Sequence, residues 1–256
     1  MKAGTSHKDT ETGAARPSSV RGVNVNSHLQ GSNPLSKIRL ILVKALWYNR
    51  ANTKGSWNHM PLQFKARKNL HIEVTDRQYE IIVGSLLGDA YIHPKGKIQF
   101  EHSDKAKEYL EWKFQELKGL RYNRVGSVER KVGNSLTRSY RFWTRQFFRP
   151  LRVMFYQDKK RLSLKILNAL TPLALAVWFM DDGHFEKAKK RCIIATDGFS
   201  NEDRTMLQLF LKQRYGLDVV VRKSGKISFN QLNTERFFEI IKPYRLECMA
   251  YKFPNP

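Results

Sequence analysis

Two apolar stretches, each closing on an aspartate, dominate the hydrophobic pattern of the chain. The first is Ile82-Val83-Gly84-Ser85-Leu86-Leu87-Gly88-Asp89. The second is Leu175-Ala176-Val177-Trp178-Phe179-Met180-Asp181-Asp182. Both read as buried helices. Thr75 or Asp76 offers an N-cap for the first, which is predicted to run to about residue 88. Pro172 opens the second, at a position where its missing N–H costs nothing.

The flanking patterns repeat in order. After the first run, 97–102 alternates and predicts a strand. Ser103 or Asp104 then caps a helix through Ala106, Tyr109, Leu110, Trp112, Phe114 and Leu117. Strands are predicted near 126–131 and 139–144, and a helix near 146–156. After the second run come a strand at 191–196 and a helix capped by Ser200. Strands at 218–222 and 226–230 follow, then a last helix capped by Thr234. Three strands are predicted per half; a fourth in the first half falls near 134–136 or is split from those above. The order helix–strand–helix–strand–strand–helix therefore occurs twice. It predicts an α+β fold of two pseudo-symmetric lobes, 71–157 and 158–256. Residues 1–70 form a polar, basic extension, disordered at first, with a short helix at 37–49 and a linker or DNA-contacting arm after it.

Charge sharpens the picture. The 256 residues carry 46 Lys+Arg against 23 Asp+Glu, a net charge of +23. That excess points to a polyanionic partner, nucleic acid before an anionic membrane. Two cysteines, Cys192 and Cys248, make neither a disulfide framework nor a zinc cluster, and fit a reducing intracellular setting. No apolar run is long enough to cross a bilayer, and the N-terminal segment lacks the apolar core of a secretory signal.

The two runs also differ in chemistry from ordinary core helices. Gly84, Ser85 and Gly88 give the first helix a small face, and Ala174 and Ala176 partly do so in the second. Val177 stands opposite Gly84 in the alignment of the two runs. Small faces let helices approach closely, which would bring Asp89 and Asp182 together. Two bare carboxylates ~4 Å apart repel by about 4 kcal/mol at an effective dielectric near 20. A divalent cation would offset that and could activate water at a phosphodiester.

At these residues the chain resembles the LAGLIDADG homing endonucleases, in the two-motif monomeric branch that includes the yeast mitochondrial omega-intron enzyme. The likeness covers roughly residues 75–254. It rests on 84–92 (GSLLGDAYI), Gln99-Phe100-Glu101, Asp158-Lys159-Lys160, 170–172, 178–183 (WFMDDG), 241–244 (IKPY) and 251–254 (YKFP). Ser85, Leu87 and Val177 depart from the usual motif residues. The resemblance implies an αββαββα unit in each lobe, with the two sheets forming a saddle over DNA. It implies cutting of both strands across the minor groove of a long asymmetric site, with short 3′ overhangs. Asp89 and Asp182 match the metal-binding acids, and Gly88 and Asp181, which precede them, join the expected metal site. Mg²⁺ is the expected ion, with Mn²⁺ as a substitute. Lys160 and Lys252 match a catalytic lysine in each lobe, with Lys159 as the alternative to Lys160.

The expected DNA contacts are the basic and polar strand residues. In the first lobe they are Lys95, Lys97, Gln99, Glu101, Arg130, Arg138, Arg141 and Arg145. In the second they are Lys190, Arg222, Lys223, Lys226 and Asn230. Alternate strand residues share a face that can enter the major groove. His184, directly after the second motif, reads as a surface or phosphate contact, and no histidine is assigned to catalysis. The functional expectation is a monomeric DNA endonuclease, encoded within an intron or intein, of an organelle (mitochondrion or chloroplast) or bacterial cytoplasm, with no membrane partner. The alternative is an intron maturase that binds intron RNA, and retention of both acids favours cleavage.

Overall fold

The structure is a computed structural model, described for residues 62–65, 71–157 and 159–254. The predicted helix at 37–49 and the tail before it lie outside the described residues.

Helix α1 (Asp76–Leu87) starts where Thr75 Oγ1 accepts from the Gln78 N–H at 3.2 Å and Gln78 Oε1 accepts from the Thr75 N–H at 3.3 Å. This reciprocal pair satisfies two backbone donors that the first turn cannot use. The second motif helix spans Pro172–Asp182, with Thr171 Oγ1 accepting from the Ala174 N–H at 3.2 Å. The first helix is apolar all round from Ile81 onward and the second over nearly its whole length, so neither stretch can lie on a surface. Residues Ile81–Leu87 of the first and Leu173–Asp181 of the second are all buried.

They bury against each other. A Cβ built on Gly84 would stand 2.5 Å from the Ala174 carbonyl oxygen and 2.8 Å from Val177 Cβ. One on Gly88 would stand 2.4 Å from Asp181 Cβ. The small face predicted for the first helix is thus the contact face, and Val177 fits it because Gly84 makes room. Leu86, Leu87, Trp178, Phe179 and Met180 turn into the cores of the two halves, all at most 1 % exposed. Each side chain of this kind contributes about 1.5–3 kcal/mol on burial.

Each half adds the same set of elements. In the first, β3 (Tyr91–Ile92), β4 (Ile98–Ser103), α2 (Lys107–Glu116), β5 (Gly126–Val132), β6 (Ser135–Trp143) and α3 (Arg149–Phe155) follow α1. A short helix, α4 (Leu164–Asn168), lies in the connection, and Pro172–Asp182 is α5. In the second half come β7 (Gly183–Glu186), β8 (Arg191–Ile194), α6 (Asn201–Tyr215), β9 (Val219–Val221), β10 (Ile227–Phe229) and α7 (Gln231–Ile241). The sheets have orders β3-β4-β6-β5 and β7-β8-β10-β9, both antiparallel throughout. This is the αββαββα duplication, an α+β fold.

Several expectations change. The fourth strand of the first half is β3, directly after the motif, and residues 135–136 belong to β6. Its counterpart β7 was missed for the same reason: two to four residues after a helix end carry no readable alternation. The last helix is capped by Asn230, whose Oδ1 accepts from the Asn233 N–H at 2.8 Å. Thr234 lies inside that helix, and its Oγ1 accepts from the Cys192 N–H at 2.9 Å, tying helix to sheet. Residues 62–65, expected in a linker, form strand β1 (Leu62–Lys65), paired antiparallel with β2 (His71–Val74).

The contact at Gly84 yields a prediction. Gly84→Ala forces the two motif helices apart or strains Val177, and is expected to cost about 1–3 kcal/mol in urea unfolding. Gly198→Ala, where an added Cβ meets nothing within 4 Å, serves as the matched control. Equal midpoints for the two variants would contradict close packing at the seam.

Candidate functional site

Helix ends present their last carbonyls without partners and carry partial negative charge. Neither α1 nor α5 has a basic residue in its last turn. The cations come from elsewhere in the chain. Lys160 Nζ donates to the Leu87 and Gly88 carbonyls at 2.8 and 3.0 Å. Lys252 Nζ donates to the Asp181 carbonyl at 2.7 Å. Gly88 and Asp181 occupy equivalent positions, so the two lysines form a pseudo-symmetric pair at the two motif ends. Lys159 is exposed, and Lys160 is the residue turned to the seam.

The acids converge on the same place. Burial pushes the Asp182 carboxyl up to about 7, with the charge of Asp89 and then Asp181 as further causes. Asp89 is raised by the partial burial of the seam first and by Asp181 second. Burial lowers both Lys160 and Lys252, and the neighbouring aspartates oppose that shift. Three carboxylates and two lysines thus share one centre, and the aspartate charges act on Asp89, Asp182 and both lysines.

A third lysine was missed by the sequence reading. Lys113 on α2 and Asp181 on α5 both have side chains 0 % exposed, and Lys113 Nζ donates to Asp181 Oδ1 and Oδ2 at 2.7 and 2.9 Å. The pair bridges the two halves. Tyr109, one turn before Lys113, donates its hydroxyl to the Val177 carbonyl at 3.2 Å and adds a second polar tie across the seam. Buried positions of α2 are Tyr109, Leu110 and Lys113, with Trp112 and Phe114 only partly covered. A lysine on the apolar stripe of a helix was the available signal, because a buried ammonium demands a buried acid. His102 lies on the inward side of β4 beside Ile98 and Phe100. Its Nε2 is 3.1 Å from Lys113 Nζ, and its Nδ1 is 3.5 Å from Asp89 Oδ2. Burial and the Lys113 charge lower its pKa to about 3.

The sheet faces sort the remaining expected residues. On β4, Gln99 and Glu101 alternate with buried Ile98, Phe100 and His102. Register places Glu101 opposite Arg141, and Arg130 opposite Thr137 on the same open face. Glu101 accepts from Arg130 and from Ser139 Oγ, and from Gln99 Nε2 at 2.7 Å. Arg138 does not share this face. It pairs with Glu129 in register with the other side of the strand, the side of Tyr140 and buried Phe142, and donates to Glu129 at 2.6 Å. Lys97 lies over the Tyr122 ring at 5.4 Å. Lys95 sits in the β3–β4 turn, and Arg145 follows β6, both exposed.

In the second half, Arg222 and Lys226 flank the β9–β10 turn that contains Lys223, on the open face with Ser228. Lys190 is an exposed turn residue with φ +47° between β7 and β8. Asn230 is committed to the α7 cap, so its carbonyl oxygen is engaged inside the protein. Glu186 is the acid on this face, 2.5 Å from Arg191 and 3.8 Å from Arg222. His184 is exposed on the same face. Among the described residues no helix is long and apolar enough to cross a membrane.

Residues 79–237 match the model of the LAGLIDADG DNA endonuclease family. A paired-helix seam ending in acids beneath two antiparallel sheets is thus joined to a family signature over most of its length, and the chain belongs to that family. It is 30% identical over 204 residues to a protein RecA of Mycobacterium gastri, covering 70% of this chain and 47% of that one. It is 27% identical over 215 residues to the DNA endonuclease I-ChuI of Chlamydomonas applanata, covering 71% and 96%. The solved structure of the homing endonuclease I-WcaI bound to its DNA recognition sequence matches with a TM-score of 0.63 at 26% identity. That match covers 71% of this chain and 88% of the other. The chain spans about half the length of the RecA relatives it matches.

Two predictions come from the centre. Lys113→Met leaves the Asp181 carboxylate buried without its partner and is expected to cost about 3–5 kcal/mol. Adding Asp181→Asn should recover part of that loss, and strictly additive losses in a denaturant double-mutant cycle would contradict direct coupling. Asp182 holds in the folded chain a proton that the unfolded chain gives up between 3.8 and about 7. Its contribution to metal-free stability therefore falls as pH rises through that window. Asp182→Asn should flatten this fall in thermal melts without divalent ions, and an unchanged pH slope would rule the assignment out.

Proposed function

We propose that the chain is a site-specific endonuclease that cuts both strands of a double-stranded DNA target and depends on a divalent metal. The observation that carries the reading is the convergence of Asp89 and Asp182 at the ends of two packed helices, with Lys160 and Lys252 on the adjoining carbonyls. The donors are hard oxygens: the Asp89 and Asp182 carboxylates, with the Gly88 and Asp181 carbonyls, which also accept from Lys160 and Lys252. That set fits Mg²⁺, with Mn²⁺ as an alternative. The Asp181 carboxylate, with a ligand atom within 4.8 Å of those of Asp89 and His102, accepts from Lys113 at both oxygens and stands at the inner edge of this set. A bound divalent cation would supply Lewis-acid stabilisation of the phosphoryl charge and of the leaving oxygen.

The protein's own groups do the rest. The open faces of the two sheets, with Gln99, Arg130 and Arg141 on one and Arg191, Arg222 and Lys226 on the other, bind the duplex by phosphate and base-edge contacts. Arg138, on the opposite side of its strand, contributes through the phosphate backbone rather than base edges. Lys160 and Lys252 place fixed positive charge beside the phosphorus, where negative charge grows in the transition state. In each strand water adds to phosphorus and the bond to the 3′ oxygen breaks, giving a 5′ phosphate and a 3′ hydroxyl. Since one chain carries both centres, a monomer is sufficient. Residues 71–157 and 158–256 are the two lobes in this reading. The gene's place is within an intron or intein, and cutting the allele that lacks this element promotes its spread.

The test is digestion of a randomised-site plasmid library by the purified chain with Mg²⁺, followed by sequencing of the cut ends. Cutting at one long site, lost on chelation, is expected. Asp182→Asn should bind the selected site within a few-fold of wild type yet cut neither strand. Affinity should drop steeply with salt, by about 10³–10⁵ between 50 and 200 mM if 6–10 phosphates are contacted. Normal cutting by Asp182→Asn, or tight binding of intron RNA with no DNA cleavage, would overturn the reading.

A further inference from the structure

Lys113 Nζ touches both Asp181 oxygens and lies 3.1 Å from His102 Nε2. Nε2 also stands 3.7 Å from Asp181 Oδ1, but the ammonium is nearer and has hydrogens to give and no lone pair, so Nε2 is the acceptor. A second hydrogen there would meet the ammonium head-on. The single N–H of the ring is therefore on Nδ1, which stands 3.5 Å from Asp89 Oδ2. The ring is held in place by burial, with 7 % of its side chain exposed, and by the Tyr109 ring at 5.0 Å between centroids. The lysine from α2 and the acid from the other half's helix thus fix which way the imidazole donates.

We propose that His102 is a positioning residue for Asp89, set by the Lys113–Asp181 pair, and that the centre built on Asp89 differs for this reason from the one built on Asp182. Register supplies the second half of the argument. Tyr91 pairs with Gln99 as His184 pairs with Ile193. His102, three residues beyond Gln99, thus corresponds to Thr196. Thr196 Oγ1 is turned to the β9–β10 turn, donating to the Gly225 carbonyl at 2.6 Å. Asp181 corresponds to Gly88, which has no side chain. The second half therefore has neither the imidazole nor the acid that orients the lysine. One Asp89 oxygen faces a ring donor and the other stays available to a ligand, a constraint that the Thr196 side of the centre does not place on Asp182.

The inference rests on the endonuclease reading for its rate consequence, and its structural part can be measured without activity. Long-range ¹H–¹⁵N spectra of the ¹⁵N-labelled chain should show His102 as the Nδ1–H tautomer; the Nε2–H tautomer would overturn the proposal whether or not the chain cuts. The second measurement follows each strand separately, on an end-labelled duplex carrying the site selected with wild type. His102→Gln places its amide near the Nε2 position and removes the donor to Asp89. It should slow cleavage of one strand about 10- to 100-fold, the usual cost of losing a partner behind a metal ligand, and slow the other strand clearly less. His102→Asn places an amide N–H near Nδ1 and should restore most of the lost rate. Equal slowing of both strands, or identical behaviour of the Gln and Asn variants at matched thermal midpoints, would sink it. A wild-type chain that cuts no DNA would defeat the endonuclease reading and leave the tautomer result to decide the arrangement at His102.

Discussion

The backbone-to-backbone approach of α1 and α5 is the constraint on which the rest of the molecule depends. Gly84 and Gly88 leave no space for a methyl group between the helices. Closeness fixes where the helices end, and the ends fix where the acids stand. The sheets then follow by covalent necessity, since β3 and β7 begin within four residues of the helix ends. Packing density, rather than any bond between the acids, therefore places the polar centre. A wide seam would separate the carboxylates and the two sheets together.

Charge is arranged around that seam in layers. The carboxylates of Asp89 and Asp182 are partly covered, and burial raises both. Lys160 and Lys252 sit on main-chain carbonyls, where helix ends attract cations, so they are held without consuming a carboxylate oxygen. Deeper in, Lys113 and Asp181 neutralise each other out of water. The gradation separates groups that are available to a ligand from groups that are structural. Sequence position alone does not reveal this, since Asp181 and Asp182 are neighbours with opposite fates. On the sheet faces, Glu101 and Glu186 likewise hold arginines in defined directions rather than leaving a uniform positive surface.

Much of this was legible in the sequence. The duplicated apolar runs announced two buried helices, and their small residues identified the contact face. Caps at Thr75 and Ser200 gave two helix starts, and alternation gave β4 and β5 close to their observed places. The failures have physical causes. β3 has only two residues, and β7 starts directly at the end of its motif helix, with no break in the chain pattern to announce it. Thr234 has the chemistry of a cap but is preceded by Asn230, which takes that role and leaves Thr234 to bind a strand. Arg138 and Arg141 look alike in a list of basic residues, yet an odd separation along one strand sends them to opposite sides. Lys113 escaped notice, and His102 was not assigned to the site, because each is an ordinary residue type in a basic chain. Only their inward phase on strand and helix marks them, and only a tertiary contact 68 residues away in sequence gives Lys113 its partner.

The Gly88–Asp181 match has a consequence for how such a chain can have arisen and can be rebuilt. The side chain of Asp181 fills the volume that Gly88 leaves empty, so the two halves fit as plug and socket. Two copies of the first half would face each other with a hollow where the plug belongs. Two copies of the second would put carboxylates into one another. Swapping halves with a relative, or reverting the duplication to a symmetric dimer, therefore requires exchanging this residue pair together with Lys113, as a single inherited unit.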